Sequence, residues 1–138
     1  MDARLDHVGI AVRDLAEAIP RWERTIGVRA SPPEEVSPQR VRVCFLPVGD
    51  SHLELLEPTA PESTVARFLE KRGEGLHHVA FAVPDLRARL DELRLEKVRL
   101  IDENPRRGAR GRWVAFAHPS HFGGVLTEFV EAETGESP

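Results

Sequence analysis

The pattern of apolar and polar positions occurs twice along this chain. Residues 5–15 read Leu-Asp-His-Val-Gly-Ile-Ala-Val-Arg-Asp-Leu, and residues 76–86 read Leu-His-His-Val-Ala-Phe-Ala-Val-Pro-Asp-Leu. Alternating apolar positions are typical of a strand with one buried face, and the aspartate that follows is a common residue at the start of a helix. His7 and His78 are 71 positions apart in a chain of 138 residues. A period of half the chain predicts two copies of one supersecondary module.

The rest of each copy predicts a helix and three further strands. In the first copy a helix follows Asp14, Pro20 is expected to kink or split it, and strands are expected near 35–36, at 41–46 and at 52–56. A short helix is expected at 65–71. In the second copy a helix follows Pro84 or Asp85, and strands are expected at 77–83, 98–101, 113–117 and 125–130. Residues 132–138 are expected to fray.

These elements predict an α+β fold. We expect a single domain over residues 1–138, built from two βαβββ repeats at about 5–58 and 76–131 with a linker at 59–75. Each repeat has an open sheet face that must be covered. The two modules are therefore expected to pair into a curved mixed sheet.

In both copies the histidine shares a strand face with small residues, His7 with Gly9 and Ala11, and His78 with Ala80 and Ala82. The opposite faces are apolar and are expected to pack on a core. A single histidine in such a place is more often an ordinary core or surface residue. The repetition favours the floor of a functional site.

A glutamate also recurs, at the same place in the last strand of each copy. Glu54 and Glu128 interrupt otherwise apolar stretches. A carboxylate there is turned to solvent, paired, or bound to a metal ion. Taken with His7 and His78, the glutamates give two imidazoles and two carboxylates. This set suits a borderline divalent ion such as Co, Ni, Mn, Zn or Fe, so we expect a metal site between the two modules.

Composition and charge limit which partners and which cell compartment we expect for this protein. The formal net charge of −4 disfavours nucleic acid as the main ligand. Cys44 is the one cysteine, which excludes an internal disulfide and fits a reducing compartment. The chain starts without an apolar signal segment, and no apolar run reaches the length of a membrane span. We therefore expect a cytoplasmic protein with no membrane partner.

The paired modules with His, Glu, His and Glu resemble the vicinal oxygen chelate superfamily and, within it, the methylmalonyl-CoA epimerase family over residues 5–131. The segments that carry the resemblance include Asp-His-Val-Gly-Ile-Ala-Val at 6–12, Glu-Leu-Leu-Glu-Pro at 54–58, Gly-Leu-His-His-Val-Ala at 75–80 and Ala-Phe-Ala-His-Pro at 115–119. The resemblance assigns the metal ligands to His7, Glu54, His78 and Glu128. Of the adjacent histidines 77 and 78, the register with His7 selects His78.

The resemblance implies interconversion of the R and S forms of methylmalonyl-CoA, with an enolate stabilised by Co, Ni, Mn or Zn. Glu128 is expected to be one catalytic base. Glu54 is expected to be the other, with a metal-bound water or His52 as alternatives. His118 is expected either to orient the acyl carboxylate or to open a turn with Pro119. Arg106, with Arg110 and Arg112, is expected either to meet coenzyme A phosphates or to belong to a solvated basic loop.

The family also implies a homodimer with an acyl-CoA as its partner. The chain departs from the family at Arg42, where some epimerases carry a glutamate proposed as a base. Two alternatives share the fold. One is a glyoxalase I type lactoylglutathione lyase, and the other is a metal-free resistance protein that binds and sequesters small toxic molecules. A dioxygenase normally needs two histidines and one carboxylate, so the fourth ligand disfavours it. The metal-free resistance protein should lack the four ligand residues, which this chain keeps.

Overall fold

The computed structural model describes residues 3–133. The chain divides into two compact units: a first unit, His7–His77, and a second unit, Met1–Asp6 together with His78–Pro138. Within residues 3–133 there are eight strands, parallel and antiparallel, and three α-helices. The predicted α+β class is confirmed. No helix in this range is long and apolar enough to cross a membrane.

The strands are β1 (Arg4–Ala11), β2 (Glu34–Val36), β3 (Val41–Val48), β4 (Ser51–Pro58), β5 (Gly75–Val83), β6 (Arg106–Arg107), β7 (Trp113–Ala117) and β8 (Thr127–Glu131). The helices are α1 (Leu15–Ile26), α2 (Thr64–Arg72) and α3 (Leu86–Leu95).

In the first unit the strand order is β2-β3-β4-β1. β1 and β4 are parallel, whereas β2, β3 and β4 pair antiparallel. The predicted packing of the apolar face of β1 on a core is confirmed, because Ile10, with Val12 directly after the strand, packs against residues of α1. The buried core of the first unit consists of Ile10, Val12, Leu15, Ala18, Cys44, Leu46 and Leu55. The other face of the same strands is therefore left to carry His7 and Glu54.

The second unit repeats this topology with the order β5-β8-β7-β6. β5 and β8 are parallel, and β8, β7 and β6 pair antiparallel. α3 packs on one face, and the core consists of Val83, Leu86, Leu90, Val98, Ala115, Ala117 and Phe129. The predicted order of strand, helix and three strands is confirmed in both units.

Both module helices begin in the same way. Asp14 accepts a hydrogen bond from the Glu17 N–H at 3.3 Å, and Asp85 accepts one from the Ala88 N–H at 3.1 Å. Each aspartate satisfies a backbone donor that the helix leaves free. α1 ends at Gly27, whose φ of 73° favours glycine. Pro20 does not split α1, which is one continuous helix from residue 15 to 26 with Pro20 on its exposed side.

The prediction of a strand at 98–101 is wrong. Only Leu100 makes an isolated bridge, to Ala117. The N–H groups of Ile101 and Asp102 both donate to the Phe116 carbonyl, so the chain leaves the sheet there. The first of the three strands that follow the helix in this module is β6, which lies in a segment where the sequence predicted no strand. Residues 134–138 of the predicted frayed tail lie outside the described residues.

Candidate functional site

In the first unit, β1 and β4 place His7 and Glu54 on one face. Gly9 lies opposite Glu54 in the parallel register, so no side chain stands between the glutamate and β1. His7 Nε2 lies 3.2 Å from Glu54 Oε1. The two residues are only 4% and 5% exposed. Burial of a carboxylate at this depth requires a partner, and the imidazole supplies one.

The second unit builds the same pair on β5 and β8. Ala80 lies opposite Glu128, and the small side chain leaves room as Gly9 does. His78 Nε2 lies 3.1 Å from Glu128 Oε1, and both residues are buried. The structure therefore brings together each predicted histidine with the glutamate of its own repeat.

A phenylalanine packs against each histidine. Phe45 makes an edge-to-face contact with His7 at 5.8 Å between ring centroids, and Phe116 makes one with His78 at 5.5 Å. Each phenylalanine lies opposite the glutamate of its unit in the antiparallel register. These apolar rings restrict the imidazole orientation and keep water from one side of the pair.

The backbone of each phenylalanine is held by a polar side chain. The Phe45 N–H donates to Ser31 Oγ at 2.9 Å, and the Phe116 N–H donates to Asp102 Oδ2 at 2.8 Å. In the second unit the other oxygen of Asp102 lies 3.1 Å from Arg106 Nε. The Arg106 guanidinium is 5.8 Å from the Phe116 ring centroid. Arg106 is therefore held on the same face as His78 and Glu128.

His118 follows β7 directly and begins a single 3₁₀ turn at Pro119–Phe122. Its Nδ1 accepts from the Ser120 N–H at 3.0 Å and lies 2.9 Å from Ser120 Oγ. Acceptance at Nδ1 assigns the proton of the neutral ring to Nε2. His118 thus opens a turn and keeps an Nε2–H donor.

Arg42 lies on the helix side of β3. Its guanidinium pairs with Glu57 Oε1 at 3.3 Å and with Glu35 Oε1 at 3.9 Å. Strand alternation directs it away from the face of Phe45 and Glu54. His52, by contrast, shares the Glu54 face and contacts the Phe45 ring at 6.0 Å.

The arginines of the segment 106–112 have different surroundings. Arg107 stacks over the Trp113 ring at 4.0 Å and donates to the Gly111 carbonyl. Arg112 is buried and ion-paired with Asp6. Of the arginines expected to meet phosphates, Arg106 therefore has the clearest position beside a His–Glu pair. Arg112 is not exposed to bind a phosphate.

The donor chemistry of the four residues fits a metal ion. Two imidazole nitrogens and two carboxylate oxygens, all from buried side chains, are ligands that borderline divalent ions accept. Each unit thus offers such an ion one imidazole nitrogen and one carboxylate oxygen, from His7 and Glu54 in the first and from His78 and Glu128 in the second.

Residues 6–116 match the model of the glyoxalase/bleomycin resistance protein/dioxygenase superfamily. The chain belongs to this superfamily. The predicted resemblance is thereby confirmed for the superfamily, and the similarity of the chain to methylmalonyl-CoA epimerases over nearly its whole length confirms it for that family.

Three similar proteins cover nearly all of this chain. The ethylmalonyl-CoA/methylmalonyl-CoA epimerase of Cereibacter sphaeroides is 37% identical over 133 residues, which are 95% of this chain and 99% of that protein. The mitochondrial methylmalonyl-CoA epimerase of Bos taurus is 36% identical over 130 residues, 94% of this chain and 74% of that protein. A variant of Streptomyces coelicolor methylmalonyl-CoA epimerase, solved in complex with 2-nitronate-propionyl-CoA, is 39% identical with a TM-score of 0.93 and full coverage of both chains.

Sequence reasoning missed the residues that support the two pairs. Glu57 Oε2 accepts from the Leu15 N–H at 2.9 Å, and Glu131 Oε1 accepts from the Leu86 N–H at 3.0 Å. Each ties the start of a module helix to the strand that carries the site glutamate. The spacing Glu-x-x-Glu, present at 54–57 and at 128–131, was the available signal.

Proposed function

We propose that this protein is a metal-dependent epimerase that interconverts the R and S forms of methylmalonyl-CoA. The observation that carries the proposal is the buried His–Glu pair, present once in each unit at 3.2 Å and 3.1 Å. The names of its relatives, epimerases of methylmalonyl-CoA at 36–37% identity, support the same reaction.

His7, Glu54, His78 and Glu128 are proposed to hold one divalent ion, with Co, Ni, Mn or Zn as candidates. The ion would supply Lewis-acid stabilisation of the negative charge that develops on the thioester oxygen. The histidines are proposed to bind through Nε2, the atom that each directs toward its glutamate. Phe45 and Phe116 hold the imidazole rings in that orientation.

Epimerisation needs a proton acceptor on one face of the substrate carbon and a proton donor on the other. Glu128 is proposed to remove the proton, which moves from the C2 carbon to a carboxylate oxygen as the C–H electron pair passes into the enolate. Glu54, which is protonated at the start of this direction of the reaction, is proposed to give its proton to C2 from the opposite face, and both carboxyl groups exchange protons with water between turnovers. Both carboxylates are buried beside an apolar ring, where proton transfer is shielded from bulk water.

Arg106 and His118 are proposed to bind the substrate. The fixed guanidinium of Arg106 suits an anionic oxygen of the acyl-CoA, because Asp102 orients it beside Phe116. His118 is proposed to donate from Nε2 to the acyl carboxylate, since Nδ1 already accepts from Ser120.

We also propose a domain organisation, a location and an oligomeric state. We expect one domain made of the repeats 5–58 and 76–131 with the linker 59–75, a cytoplasmic location and a homodimer. Sedimentation at micromolar concentration tests the dimer. A monomeric mass would contradict it without affecting the proposed reaction.

The reaction is tested by incubating the protein with a single epimer of methylmalonyl-CoA in deuterated water. We expect deuterium at C2 and formation of the other epimer, both abolished by a chelator and restored by a divalent ion. The matched control is the same incubation with the glutathione hemithioacetal of methylglyoxal, for which we expect no turnover. Lactoylglutathione formation without deuterium exchange of methylmalonyl-CoA would overturn the proposal in favour of a glyoxalase I type lyase.

A further inference from the structure

A buried arginine, directly before β7, departs from the repeat. Arg112 is 8% exposed, while Val41, 71 positions earlier, is 1% exposed and apolar. A valine fills this place in the first unit at no electrostatic cost. A buried guanidinium must be compensated by charge and by hydrogen bonds, so its presence calls for a role beyond packing.

The partners of Arg112 come from two places in the second unit. Nη1 lies 2.9 Å from Asp6 Oδ1, and Nη2 donates to the Glu131 carbonyl at 3.3 Å. Nε lies 3.6 Å from Glu133 Oε1. The side chains of Arg112 and Asp6 are 7% and 11% exposed, so the main ion pair is shielded from solvent.

Asp6 is the residue directly before His7 in β1. Adjacent residues of a strand project to opposite faces, so a contact that holds the Asp6 side chain fixes the backbone from which His7 projects. In the second repeat the equivalent place is taken by His77, which contacts the Phe68 ring at 5.0 Å. The ion pair is therefore specific to the approach to His7.

We infer that Arg112 is a positioning residue for the metal site. Its ion pair with Asp6 holds the start of β1, and thereby sets the position of the His7 imidazole beside Glu54. The inference rests on the proposed metal site. Partners that orient metal ligands typically change metal affinity 10–100-fold when removed, which gives the expected scale.

The test uses the whole protein and Co²⁺ alone. The Kd of Co²⁺ and the visible absorption of the bound ion are measured for the wild type, Arg112→Met, Arg112→Lys and the double variant Asp6→Asn with Arg112→Met. Arg107→Met is the matched control, because Arg107 lies in the same segment and stacks on Trp113. Folding of each variant is checked by circular dichroism before the titration.

We expect Arg112→Met to weaken Co²⁺ binding at least about tenfold and to alter the absorption of the bound ion, with partial recovery in Arg112→Lys. The double variant avoids an unpaired buried charge and should show the same loss. Arg107→Met should bind as the wild type does. Wild-type affinity in either folded Arg112→Met protein would overturn the inference alone. Failure of the wild type to bind Co²⁺ would overturn the proposed metal site, and the inference with it.

Discussion

In the first unit His7 faces Glu54 at 3.2 Å, and in the second unit His78 faces Glu128 at 3.1 Å. The agreement extends beyond these atoms. Each unit adds a phenylalanine on the histidine, an aspartate at the start of the helix, and a second glutamate that binds the first helical N–H. The duplication has kept the pair together with the scaffold that orients it.

The units differ in the residues that line the face around the pair. Ser31 and Asp102 are 71 positions apart, and both accept from a phenylalanine N–H. Only a carboxylate can also hold a cation, and Asp102 pairs with Arg106. On the other side, His52 stands two residues before Glu54, where the second unit has Leu126.

This difference indicates that the residues that hold each pair and the residues around it have different roles. Residues that hold the pair are the same in both units, as the proposed metal site requires, because each pair would present one nitrogen and one oxygen to the ion. Residues around the pair have diverged, because a substrate with one acyl end and one coenzyme A end is not symmetric. We therefore expect the two histidines to be equivalent in metal binding, and the two glutamates and the two flanking sets to be unequal in catalysis.

The largest expected effect tests the equivalence. His7→Ala and His78→Ala should each lower the affinity for a divalent ion by more than about 100-fold, because each removes a proposed ligand together with the imidazole that lies 3.2 or 3.1 Å from a buried glutamate. Metal content after dialysis, with circular dichroism as the folding check, measures this. His77→Ala is the matched control and should retain the ion. Full metal occupancy in His78→Ala would contradict the site.

The next largest effect distinguishes the catalytic roles of the two glutamates. Glu128→Gln keeps the size of the side chain but cannot accept a proton near neutral pH, so turnover should fall at least about 100-fold while measurable metal and acyl-CoA binding remain. Epimerisation rate and metal stoichiometry are measured in the same sample. The same pair of measurements on Glu54→Gln gives the comparison. Activity that falls only in proportion to the metal lost would make Glu128 a ligand alone.

A smaller effect concerns the charge found beside the second pair. Arg106→Met should raise KM for methylmalonyl-CoA about tenfold and change kcat less, because it removes a charge-assisted contact to the substrate. Asp102→Asn should act in the same direction by loosening Arg106. Steady-state kinetics measure both, and Arg107→Met is the control with the same loss of charge. An equal rise of KM in Arg107→Met would show that net charge, and not position, matters.

The two His–Glu pairs could be predicted from the sequence, because a repeat with a period of 71 residues makes a weak signal occur twice. One histidine and one glutamate in apolar strands have ordinary explanations, but the recurrence of His7 with Glu54 as His78 with Glu128 does not. The helix starts at Asp14 and Asp85 were also predictable, since capping is a local property.

The errors arose where contacts between distant residues decide the structure. The apolar run at 98–101 has strand character, but Asp102 takes the Phe116 N–H and the chain turns away. β6 has two arginines after a proline and lacks an apolar alternation, so only its pairing with Trp113 and Val114 defines it. The buried place of Arg112 depends on Asp6, 106 residues earlier, which no local pattern indicates.

The smallest effect concerns the strand face that packs on the helix in each unit, where Cys44 in the first unit corresponds to Ala115 in the second. Both residues are fully buried. Burial, followed by the charges of Glu23 and Glu54, raises the pKa of the Cys44 thiol from 9.0 to about 11. Between these values the unfolded chain loses the proton before the folded one does, so the thiol's contribution to stability is complete below pH 9 and declines as pH rises toward 11.

Cys44→Ala tests this, because Ala115 indicates that alanine suits the equivalent place. The free energy of unfolding of the wild type, relative to that of Cys44→Ala, should fall by about 1 kcal/mol between pH 8 and pH 9.5. Urea denaturation of both proteins at the two pH values measures the difference and cancels the titration of other groups. Alkylation of the folded wild type at pH 8 should also be much slower than in urea, since the thiol is both inaccessible and protonated. A difference in stability that does not change with pH would mean that the thiol titrates at its ordinary pKa in the folded protein.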